Sequence, residues 1–223
     1  MSIEACEVQT SDLKRDQSRQ EEFANSISHG IGLIAAIAGA PFLIIHAIQN
    51  GDAKFIVGVI IFSVTTILLY FASTIYHILP IGKLKRLFNV IDHSVIFLLI
   101  AGTYTPFTLG VLHGAWGWSL FGVVWGFALI GVILKAFNRA SSPLVSNSLY
   151  LLLGWVVLIA IEPLFARMPA TGLLYLLAGG LFYTIGIIFY ITDSRFQYGH
   201  LIWHIFVIAG TLSHYFAVLW YAE

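Results

Sequence analysis

Six stretches of this 223-residue chain, at positions 23–51, 55–82, 93–134, 140–161, 168–192 and 196–222, contain no Asp, Glu, Lys or Arg. No other feature narrows the fold so far. A helix crossing about 30 Å of hydrocarbon needs roughly 20 mostly apolar residues, and the 93–134 stretch is long enough to cross twice. Its break falls at Gly110-Val-Leu-His-Gly-Ala-Trp-Gly-Trp118, where glycines and tryptophans mark an interfacial turn. The pattern predicts an all-α integral membrane protein, a seven-transmembrane-helix bundle with spans at 26–48, 55–79, 89–110, 116–137, 145–165, 172–192 and 199–221.

Composition agrees: 59% of residues are hydrophobic and 10% charged, against about 25% charged in soluble domains. The 11 basic and 11 acidic residues balance, so no basic field exists to attract nucleic acid, and that class of partner is excluded. The single cysteine, Cys6, has no internal disulfide partner and no neighbours for a cysteine metal site. Residues 1–20 are polar and read as a mobile cytoplasmic tail ahead of a membrane domain at 21–223. Their acidic character is not that of a cleavable signal peptide.

Short loops rich in Lys and Arg stay on the cytoplasmic side. Seven spans put Lys14, Arg15, Arg19, Lys83, Lys85, Arg86, Lys135, Arg139 and Arg195 on one side and only Lys54 and Arg167 on the other. The expectation is a cytoplasmic N-terminus and an outside C-terminus.

Ionisable side chains in hydrocarbon cost a few kcal/mol, so each one there should face the bundle interior and have a partner or a role. Glu22, Asn25 and His29 share one face of the first helix, Ser73 and His77 lie one turn apart on the second, Asp92 opens the third, and His200 and His204 share a face of the seventh. At 1.5 Å per residue, His77 and Asp92 sit about 9 Å from the flanking basic residues, His200 about 7 Å and His204 about 13 Å, all in one layer, with His29 at a similar level. Three imidazoles at one depth can supply the nitrogen ligands of a catalytic zinc site whose fourth position stays open, with a carboxylate beside it. Spacing alone leaves a second reading open, in which these residues are interhelical hydrogen-bonding groups. His93, about 100° around the helix from Asp92, reads as a residue supporting the site from behind or as a packing residue, and His46, His113 and His214 as interfacial or structural.

Taken together, Glu22-Phe-Ala-Asn25-Ser-Ile-Ser-His29-Gly, Ser73-Thr-Ile-Tyr-His77, Asp92-His-Ser with Ala101-Gly-Thr-Tyr-Thr-Pro-Phe107, and His200-Leu-Ile-Trp-His204 resemble the hemolysin III branch of the progestin and adipoQ receptor (PAQR) family. The resemblance covers nearly the whole chain after the tail. It implies zinc near the cytoplasmic side held by His77, His200 and His204, with Asp92 matching the aspartate that contacts the zinc's water. Ser73 matches the serine of the second-helix motif. Glu22, Asn25 and His29 match a motif to which the resemblance attaches no stated chemistry. Eukaryotic relatives are hormone receptors linked to ceramide hydrolysis, and bacterial members are tied to membrane-lipid homeostasis. The expected setting is the bacterial plasma membrane, with membrane lipids as partners and protein partners unknown.

Three functions compete at this stage. The first is a zinc-dependent hydrolase of a lipid amide or ester, with Asp92 as general base. The second is a non-enzymatic sensor or regulator of the membrane, with zinc as a structural staple. The third, a hemolysin-type pore, fits poorly, because the polar residues cluster in one layer rather than lining a path.

Overall fold

A computed structural model of the chain describes residues 15–112, 114–137 and 143–223. Positions 1–14 of the expected tail, with Cys6 and Lys14, lie outside the described residues, as do His113 and Arg139. Regular structure among the described residues is entirely helical.

Helix α1 (Arg19–Asn50) starts earlier than the apolar run because Ser18 and Glu21 form a reciprocal capping box: the Ser18 hydroxyl accepts from the Glu21 N–H, and the Glu21 carboxylate accepts from the Ser18 N–H. This places Glu21 and Glu22 on the helix. Asp52 caps α2 (Ala53–Ile78) by accepting from the N–H groups of Lys54 and Phe55. Helix α3 (Lys83–Leu109) begins six residues, nearly two turns, before its expected start, in a basic segment, and α4 (Gly114–Ala136) begins within the predicted break.

The fifth span, Leu144–Arg167, is not one regular helix. It comprises α5 (Pro143–Trp155), a 3₁₀ turn at Val156–Ala160 and α6 (Ile161–Arg167). Helices α7 (Ala170–Ile191) and α8 (Gly199–Tyr221) complete seven spans long and apolar enough to cross a membrane among the described residues.

Large apolar side chains cover the outside of the bundle, with Ile34 70% and Phe42 69% exposed on α1. In water such a surface would aggregate; against acyl chains it is solvated. Inside, Phe55, Phe62, Phe97, Val124 and Val218 are fully buried and join α2, α3, α4 and α8. The pairs α1–α2, α2–α3, α3–α4 and α7–α8 pack along their lengths and α1 closes onto α8, whereas α5 touches α3, α4 and α7 sparsely. Helix α2 packs closely on the α3 backbone at Gly58, where an added Cβ would lie 2.8 Å from Pro106 Cα. Hydroxyls on these helices bond back to carbonyls one turn earlier, as Thr105 does to Ala101 at 2.7 Å, since no water is available in hydrocarbon.

The packing gathers the start of α1, the end of α2, and the starts of α3 and α8 at one end of the bundle. The other end brings His46 within 3.9 Å of Glu223 and has the Arg167 guanidinium donating to the Leu112 carbonyl.

Candidate metal centre

His77 stands on the last turn of α2, and His200 and His204 stand one turn apart at the start of α8. One ligand atom from each can be chosen so that the three lie within 4.8 Å of one another, a group able to hold a metal ion. His77 and His204 are buried and His200 is half-buried. Neither helix packs extensively on the other, so the cluster depends on α1 to bring them together.

Each ring has an acceptor at its Nδ1 side. The His77 Nδ1 lies 2.8 Å from Glu22 Oε2, the His200 Nδ1 3.0 Å from Asp193 Oδ2, and the His204 Nδ1 3.2 Å from the Asn25 carbonyl and 3.0 Å from Ser28 Oγ. Carboxylates and carbonyls only accept, and the Ser28 hydroxyl already donates to the Asn25 carbonyl at 2.8 Å. The Nδ1 atoms therefore carry the protons, and the Nε2 lone pairs are free. The Nε2 of His77 is buried with no hydrogen-bond partner. A cation among the rings would satisfy that orphan, and rings oriented by carboxylate or carbonyl partners are the usual setting of metal-bound histidine, so these residues fit a bound metal.

The other expected site residues gather here. Glu22, besides holding His77, pairs with Lys85 at 3.1 Å. Asn25 contributes its backbone carbonyl, while its side-chain N–H donates to Gln17 Oε1 at 2.7 Å. His29 stacks flat on His204 with ring centroids 3.5 Å apart, and both its nitrogens are buried without hydrogen-bond partners. It lies outside the converging trio. Asp92 interacts with the Ser73 hydroxyl and with the His200 imidazole. His93 is held apart, bonding the Asn89 carbonyl at 2.7 Å and the Tyr190 hydroxyl at 2.9 Å.

Asp193, Ser28 and Gln17 were not foreseen. Asp193 precedes α8 in a loop, where it counts as one more interfacial charge. Ser28 lies one turn after Asn25 on α1, and its spacing pointed to the site, but serines that bond back to their own helix are common in membranes.

Ser73, Asp92, His29, His200 and His204 help to line a cavity of about 120 Å³, whose other walls are mainly apolar and aromatic residues of α2, α3, α5, α7 and α8 with Thr103, Thr184 and His214 among them; His77 does not line it. A second cavity, of about 380 Å³, extends toward Leu112 and Leu164 at the other end of the bundle. The two share Thr103, Tyr104, Gly154, Trp155, Gly180 and His214 in their walls, so a mainly apolar cavity adjoins the one at the polar site.

The family model described as "Haemolysin-III related" matches residues 17–215, which include every element of this site. The chain belongs to the haemolysin-III family. This family member is 42% identical to "Hemolysin-3" of Bacillus cereus over 202 residues, covering 91% of this chain and 92% of that protein. It is 44% identical to "Hemolysin-3 homolog" of Bacillus subtilis (strain 168), covering 91% and 94%. A more distant relative, "Monocyte to macrophage differentiation factor" of Homo sapiens, is 27% identical over 207 residues, 89% of this chain and 83% of that protein. These relatives support the wider PAQR grouping that the motifs suggested. No solved structure matches this haemolysin-III protein.

Proposed function

We propose that this haemolysin-III protein is a zinc-dependent hydrolase of the bacterial plasma membrane, cutting an amide or ester of a membrane lipid. One observation carries the reading: three imidazoles with anchored Nδ1 atoms converge, and two of them, His200 and His204, line a mainly apolar cavity together with Asp92. His77, His200 and His204 would hold the zinc through Nε2. When bound, zinc supplies a Lewis acid for a lipid carbonyl and an open position for water.

The protein's own groups supply the remaining chemistry. An Asp92 carboxylate oxygen takes a proton from the attacking water as its oxygen bonds to the carbonyl carbon. The same carboxyl then returns the proton to the departing amine or alcohol, leaving a carboxylic acid as the other product. Ser73, beside Asp92 on the cavity lining, would help to orient its carboxylate. Leu99, Ile96 and Trp203 exclude bulk water from the reacting carbonyl, and the recess beyond Tyr104 takes the acyl chain. The sparse packing of α5 suits lateral exchange of lipid with the bilayer.

Asp92→Asn separates the roles. Purified protein should keep one zinc per chain while hydrolysis of short-chain ceramide and phospholipid probes drops at least about a hundredfold, the scale of a lost general base. Full activity in the mutant would end the base assignment, and zinc-free wild-type protein would end the metalloenzyme reading. A second reading, a membrane regulator with structural zinc, draws on the trio bridging two helices that barely touch. It predicts that His77→Ala lowers the melting temperature and that no product forms from any lipid tested.

A further inference from the structure

Asp193, which orients His200, sits on the loop between α7 and α8 rather than on a helix. Three hydrogen bonds tie that loop to residues 15–21. Arg15 Nη2 donates to the Phe196 carbonyl at 3.2 Å, Gln17 Nε2 donates to Asp193 Oδ2 at 3.4 Å, and the Tyr198 N–H donates to Glu21 Oε1 at 2.8 Å. Arg15 in turn grips Glu21 through two bonds, of 2.7 and 2.6 Å. Tyr198 has φ of 60°, a left-handed conformation costly for a residue with a Cβ, so Glu21 holds a strained residue one position before α8.

Gln17 has a singular place in this arrangement. Its amide N–H reaches the Asp193 oxygen that also accepts from His200, and its amide oxygen accepts from Asn25, whose carbonyl accepts from His204. One side chain thus braces the partners of two of the three imidazoles. His200 is the most exposed of the three rings, at 13% of its side chain, and Asp193 is 19% exposed. Released from Gln17, Asp193 is free to turn outward, and His200 loses the acceptor that fixes its ring.

We propose that residues 15–21 are a clasp that closes the metal centre, with Gln17 a positioning residue that acts on metal retention through Asp193. This rests on reading the histidine trio as a metal site. The test uses full-length protein in detergent, loaded with zinc, with release followed by an excess of chelator and a zinc-sensitive dye. Gln17→Ala should release zinc about tenfold faster, at the low end of the effect of losing a group that orients a metal ligand. Asp193→Asn should do the same or more, and the double variant should be no faster than Asp193→Asn alone. The melting temperatures of the zinc-free Gln17→Ala and wild-type proteins should coincide, which separates positioning from general destabilisation. Asp16→Ala, within the clasp but making no side-chain bond to the loop, should behave as wild type.

Wild-type release from Gln17→Ala overturns the clasp while leaving the metal site intact. Multiplying effects in the double variant overturn the route through Asp193. A wild-type protein that takes up no zinc refutes the metal site itself, and the clasp with it.

Discussion

At the scale of single residues, the chemistry of the site is set by what stands behind each imidazole. Glu22 and Asp193 each bring a carboxylate to the Nδ1 side of a histidine. Glu22→Gln and Asp193→Asn keep the shape but weaken the hold on the proton that fixes the ring, and each should lower zinc affinity about 10- to 100-fold in a chelator competition. Equal affinities would show that the rings are held by packing alone. The histidines, Asp92 and Ser73 were legible in the sequence because a spacing of four residues aligns side chains on a helix, and charge in an apolar run stands out. Asp193 was not, since a loop has no period. Asn25 was found for a different reason from the one it serves by: its backbone carbonyl meets His204, and any residue carries a carbonyl.

At the scale of elements, the seven crossings were legible because hydrocarbon demands long uncharged runs, and the irregularity inside the fifth crossing was not. Val156–Ala160 is as apolar as its neighbours, and its compensation comes from a different helix. The Tyr104 hydroxyl on α3 accepts from the Val157 N–H at 2.9 Å and donates to the Gly154 carbonyl at 2.6 Å, bridging the broken ladder. Tyr104→Phe leaves these groups without a partner in a waterless layer, and should cost about 1–3 kcal/mol, seen as a lower melting temperature in detergent. An unchanged temperature would mean that the 3₁₀ turn repairs itself. Gly58→Ala tests the α2–α3 contact. Its new methyl group meets Pro106 backbone rather than a movable side chain, and a loss of about 1–3 kcal/mol is expected from the same measurement.

At the scale of the whole molecule, the nine-to-two division of basic residues argues for a cytoplasmic N-terminus. Cys6 offers a direct check, as the single thiol of the chain. A membrane-impermeant maleimide should leave it unlabelled in intact cells and label it once the membrane is opened; labelling in intact cells would reverse the orientation. The placement of the three histidines also bears on the order of assembly. His77 leaves the ribosome with the second span, while His200 and His204 arrive only with the last. Glu22 can meet His77 early, but no cation can find three nitrogens until the final helix has entered the bilayer. On the proposed metal-site reading, metal capture would therefore be a closing event in biogenesis, and a chain stalled before its last crossing would stay empty.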